Sequence, residues 1–91
     1  MNRDTRAALE ACQGLFDRYP GAARPLGEGD EDRTMRIDTA RGPHDLVRHV
    51  FGRKVFFRLY PAGAQRGVEI APDVAVAGGV AATIARATPA G

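Results

Sequence analysis

His44 and His49 are the only imidazoles in the chain and Cys12 the only thiol, so nucleophilic, acid–base or metal chemistry has to start from these three and the carboxylates. The histidines are five positions apart, which does not place them on one helical face as i, i+4 ligands are placed. Cys12 belongs to a different segment and Asp45 merely adjoins His44, so spacing assembles neither a zinc quartet nor a two-histidine, one-carboxylate set. Two surface histidines are expected, with Asp45 one turn before His49 as its local partner, and neither a metal nor a cofactor. Serine is absent from the chain, which removes the serine triad. Gly27-Glu28-Gly29 and the run from Gly63 to Gly67 follow neither the dinucleotide nor the Walker pattern. Asp38, Asp45 and Glu69 are flanked by arginines in the manner of surface ion pairs. These residues together lead to the expectation that the protein is not an enzyme.

The stretch with more to offer is Lys54 to Tyr60, which has a clear two-residue period. Val55, Phe57 and Leu59 point one way, and Lys54, Phe56, Arg58 and Tyr60 the other, as in a half-buried strand. The second set interleaves cations with aromatic rings, and Arg36 joins it if a first strand pairs alongside; Arg66 follows in the next loop. This composition suits two kinds of ligand. Arg, Tyr and Phe carry interface energy in protein complexes. Rings between cations also stack the bases of single-stranded nucleic acid while neutralising phosphates. A third reading buries Phe56 and Tyr60 beneath the chain's own elements. The expectation taken forward is a small binding or regulatory protein, an adaptor or inhibitor of the kind phages and mobile elements encode, that docks an acidic partner protein through Arg36, Lys54, Phe56, Arg58, Tyr60 and Arg66. The alternative is a single-stranded nucleic-acid-binding protein using the same face.

Charge placement agrees with this emphasis. The net charge is +2, but residues 1–32 balance at −3, residues 33–66 at +6 and residues 67–91 at −1. Twelve of the thirteen basic residues are Arg, which a GC-rich genome explains and which also suits bidentate contacts to carboxylates and phosphates.

Several elements must position that face. Asp4 to Arg18 reads as an amphipathic helix, capped by Asp4 or Thr5, with Leu9, Cys12, Phe16 and Tyr19 as its apolar stripe and Pro20-Gly21 as its stop. Cys12 lies within the stripe and is therefore expected to be a packed side chain rather than a reactive thiol. Residues 19–32 form an acidic Gly/Pro loop that lacks the alternating carboxylates and closing Glu of a calcium loop. Thr34 to Asp38 alternates as a first strand, with Met35 and Ile37 on one side. Residues 44–51 fit either a two-turn helix closed by Gly52 or a strand joined to Lys54 by a tight type II′ turn at Gly52-Arg53. The helix is preferred because a strand places Arg48 among apolar neighbours.

After Tyr60, Val68 to Ile70 resumes the alternation and is expected to pair with Leu59 and Phe57 as a hairpin, setting Arg58 against Glu69. Val74 to Ala87 reads as a helix of small residues interrupted by Gly78-Gly79. Its apolar faces suggest a homodimer through Val76, Val80 and Ile84. Residues 88–91 are expected to fray.

The expected fold is thus α+β in one domain over residues 1–91: an N-terminal helix, about three antiparallel strands with a short helix after the first, and a C-terminal small-residue helix. The lone cysteine suits a reducing compartment, and the charged amphipathic segment after Met1 has no apolar core of a secretory signal. The longest uncharged apolar run, Val74 to Ala85, falls short of the roughly 20 residues that span a bilayer. A cytoplasmic location without membrane insertion is expected.

Overall fold

Helix α1 (Arg3–Arg18) buries Ala8, Cys12, Leu15 and Phe16, which occupy positions i, i+4, i+7 and i+8 of one face. A computed structural model describes residues 3–63 and 80–90. Asp4 lies in the first turn of the described helix and Arg18 in its last, each charge opposing the nearer end of the helix dipole. Tyr19 leaves the stripe once the helix stops at Pro20 and is exposed, with the Arg18 guanidinium 5.8 Å from its ring centre. Leu15, which the expected stripe did not include, is fully buried in the core.

Against α1 lies an antiparallel sheet in the order β1 (Arg24–Pro25), β2 (Arg33–Thr39), β3 (Gly42–Phe51), β4 (Lys54–Pro61), with β5 (Thr88–Pro89) pairing a second stretch of β2. The architecture is α+β, with more strands than the three expected. A six-residue helix, α2 (Val80–Ala85), packs on α1.

The largest departure from the sequence reading is residues 44–51, which are strand and not helix. This segment pairs along its length with β2 on one side and β4 on the other, setting Leu46 between Met35 and Leu59. Backbone pairing to two neighbours outweighs the weak helical spacing of four apolar residues. The objection that a strand would place Arg48 among apolar groups is met by Phe16, whose ring centre lies 4.7 Å from the Arg48 guanidinium.

Both hairpins close in two residues. Gly52 takes φ +63 and Arg53 keeps a negative φ, so the β3–β4 connection is the type II′ turn that the strand alternative requires. In the β2–β3 turn, Thr39 Oγ1 accepts the Arg41 N–H at 3.0 Å and donates to the Gly42 carbonyl at 2.9 Å.

The core lies between α1, α2 and the inner face of the sheet, where Met35, Ile37, Leu46 and Phe57 meet Cys12, Leu15, Phe16, Val80 and Ile84. Phe16 and Phe57 pack as a tilted pair with centroids 6.0 Å apart. Val55, expected on this face, is exposed because it lies near the hairpin end. Val80 and Ile84, expected to face a second copy, are covered by the chain itself. Thr88 and Pro89 do not fray: they pair with Asp38 and Ile37, and the Ala90 N–H donates to the Arg36 carbonyl at 2.8 Å. The expectations placed on Arg66, Val68 to Ile70, Val76 and Gly78-Gly79 lie outside the described residues.

Candidate functional site

Alternation along the paired strands assigns the outer face of the sheet. Thr34, Arg36 and Asp38 come from β2, Asp45, Val47 and His49 from β3, and Lys54, Phe56, Arg58 and Tyr60 from β4. The register arranges them in rows across the strands: Arg36 beside Asp45 beside Tyr60, Thr34 beside Val47 beside Arg58, His49 beside Phe56, and Phe51 beside Lys54. Arg36 therefore does join the face, as expected for a first strand pairing alongside. Arg66 lies outside the described residues.

The rows divide the face into two parts of different character. Its middle is closed: Val47 is buried, and Arg58 and Tyr60 are half-buried. Its hairpin end is open. Phe51 is 79% exposed and Phe56 48%, with Lys54 exposed on the same face and Arg53 exposed in the turn, whereas the exposed Val55 points to the opposite face. Two aromatic rings and the Lys54 cation share the outer face at this end, and the segment Phe51 to Phe56 contains no acid. Sequence periodicity found Lys54 and Phe56 but missed Phe51 and Arg53. The signal for these two was the Gly52-Arg53 turn, which sets Phe51 against Lys54 once β3 is a strand.

The carboxylates are not spread as the local sequence suggests. Asp45 takes Arg36 and not His49 as its partner: Arg36 Nε and Nη2 donate to Asp45 Oδ1 and Oδ2 at 2.5 and 3.4 Å. The bond and the charge of Asp45 push the Arg36 guanidinium further toward its protonated form. As a part-exposed cross-strand ion pair it fixes the direction of Arg36 more than it adds to stability.

Asp32, the last residue of the acidic run, reaches the far end of β3. Its Oδ1 accepts the Val50 N–H at 2.8 Å and its Oδ2 lies 2.9 Å from His49 Nδ1, which donates to it. The Val50 N–H first, and the His49 bond next, hold the Asp32 carboxyl below the usual carboxylate range. The loop behind it is closed by Leu26 N–H to the Asp32 carbonyl at 3.1 Å and by Arg33 Nη1, which donates to the carbonyls of Asp30 and Asp32. Part of the loop expected to be merely solvated is thus fastened to the sheet. His49 Nε2 is enclosed and has no hydrogen-bond partner among the described residues, so the pair ties a loop to a strand and offers no exposed base.

His44 is on the opposite face from His49, as an odd spacing within a strand requires, and its Nδ1 donates to the Gly42 carbonyl at 2.9 Å. Cys12 is buried, and desolvation pushes its thiol up to about 12. Among the described residues no three His, Cys, Asp or Glu side chains converge as metal ligands do. No described helix is long and apolar enough to cross a membrane.

A cleft of about 420 Å³ opens where β1 and β5 share the outer edge of β2. Arg24, Thr34, Arg36 and Asp45 line it from the sheet, and Ala22, Pro89 and Ala90 from the flanking segments. No family model, curated protein or solved structure matches the chain.

Proposed function

We propose that the protein is a small non-enzymatic binding protein, an adaptor or inhibitor, that docks an acidic partner protein through the hairpin end of its sheet. The observation that carries this reading is the exposure of Phe51 and Phe56 on one face with Lys54, next to Arg53 in the turn. Apolar anchors of this size, once desolvated in a pocket of a partner, supply the energy of an interface, and flanking cations select a surface of opposite charge. The type II′ turn holds the strands at a defined twist, so the anchors are presented on a preorganised element and little ordering cost accompanies docking.

The single-stranded nucleic-acid reading uses Lys54 and Phe56 in the same positions. It is disfavoured by the half-burial of Tyr60, which leaves Phe56 the more open of the strand's two outward rings for a stacked base.

The test compares wild type with Phe56→Ala and Lys54→Glu by affinity capture from a lysate of the source organism. Loss of the same acidic protein in both variants, with folding intact, is the expected result. A set of captured proteins unchanged in both variants counts against the proposal. Binding of single-stranded RNA or DNA with a salt slope worth several charges, weakened in Phe56→Ala by the ~1–3 kcal/mol of a stacked base, establishes the alternative.

A further inference from the structure

The cleft at the edge of β2 is separate from the hairpin end and differs from it in chemistry. Arg24 makes no ion pair among the described residues and is exposed at its mouth. Arg36 is held from the other side, with Nε and Nη2 engaged by Asp45 and Nη1 making no hydrogen bond among the described residues. Thr34 lies between them in sequence and lines the same cleft, and its hydroxyl is buried without a hydrogen-bond partner among the described residues. The volume, about 420 Å³, is that of a small-ligand pocket.

From these groups we infer that the cleft binds a carboxylate carried on a short aliphatic body, either a free organic acid or the side chain of an acidic peptide. Charge decides between oxyanions. Two guanidinium groups and one carboxylate line the site, a balance of one positive charge, which a single carboxylate neutralises. A phosphate dianion would leave excess negative charge beside Asp45. Planar guanidinium groups match a carboxylate in bidentate geometry, and Arg36 is already oriented by its bond to Asp45, so it loses little freedom on binding. Ala22, Pro89 and Ala90 give the remaining wall short apolar surfaces, which suit an aliphatic chain and offer no side-chain donors to a second charged group.

The experiment is a titration followed through backbone amide shifts in ¹H–¹⁵N NMR spectra of the full chain. The probes are sodium propionate, an acetylated and amidated Ala-Glu-Ala tripeptide, inorganic phosphate, and sodium chloride at matched ionic strength. The expected result is saturable shifts at Thr34, Arg36 and Ala90 with at least one carboxylate probe, weakened tenfold or more in Arg24→Gln. Because Arg24 is exposed, that variant retains the wild-type fold, which its own spectrum checks. A tighter tripeptide identifies the source as an acidic side chain, and a tighter propionate identifies a free acid; either result supports the site. Phosphate binding as tightly as the better carboxylate overturns the ligand class. Shifts that sodium chloride reproduces, or that persist undiminished in Arg24→Gln, overturn the site.

Discussion

His49 and Asp32 are seventeen positions apart in sequence, yet His49 Nδ1 lies 2.9 Å from Asp32 Oδ2, and the other oxygen of Asp32 accepts the N–H of Val50. One carboxylate thereby fastens the acidic loop to β3 in the row that carries Phe56, next to the open hairpin end. The position of that loop depends on Asp32 remaining ionised.

This dependence has a definite sign in pH. The folded-state pKa of Asp32 is lowered, so it lies below its unfolded value of about 3.9. A depressed carboxyl contributes stability that is present above the unfolded pKa and is lost as pH falls through the folded one. Urea unfolding of wild type is therefore expected to weaken below about pH 4. Asp32→Asn is expected to be less stable at pH 6 and to show a flatter decline on acidification. Parallel stability curves for the two proteins between pH 6 and pH 3 contradict the assignment.

The Arg48 guanidinium over Phe16 is the feature that admits a charged side chain to the inner face of β3. A double-mutant cycle between Arg48→Met and Phe16→Leu is expected to return a coupling of about 0.5–2 kcal/mol, within the range of cation–π pairs. Additive effects of the two changes indicate that Arg48 is held there by its methylene stem alone.

Core and hairpin end respond differently to truncation. Leu15→Ala, at a position with no exposed surface, is expected to cost about 2–5 kcal/mol of stability. Phe51→Ala, at 79% exposure, is expected to change stability by no more than about 0.5 kcal/mol. Chemical denaturation of both variants makes the comparison. A large loss in Phe51→Ala gives that ring a structural role and removes it from the proposed docking surface.

Cys12 has a buried thiol with its pKa pushed up to about 12, so it is expected to resist alkylation at pH 8 in the folded protein and to react on unfolding. Iodoacetamide labelling across a urea series, read by mass spectrometry, follows this directly. Equal rates in native buffer and in denaturant exclude the packing described.

The Ala90 N–H, bonded to the Arg36 carbonyl at 2.8 Å, is expected to exchange with deuterium far more slowly than an unprotected terminal amide. Exchange at the random-coil rate places the residues after α2 away from β2.

Periodicity within a single element determined α1, whose apolar residues recur at helical spacing, and the two sides of β4, where Phe57 is buried and Phe56 exposed as alternation requires. It determined also that Cys12 packs and that a cation–aromatic strand faces outward. These features are local, because a helix or strand repeats its side-chain directions within a few residues. The tertiary structure decided everything that depends on which segment lies beside which. It made residues 44–51 a strand, since two partner strands supply backbone hydrogen bonds along its length. It gave Asp45 to Arg36 and Asp32 to His49, although chain proximity had set Asp45 with His49. It brought Thr88 and Pro89 back to β2, and by setting β1 and β5 on one edge it created a cleft that no stretch of sequence contains. Hydrophobic spacing is written along one segment, whereas pairing partners are chosen among segments distant in the chain, and that choice has no period to read.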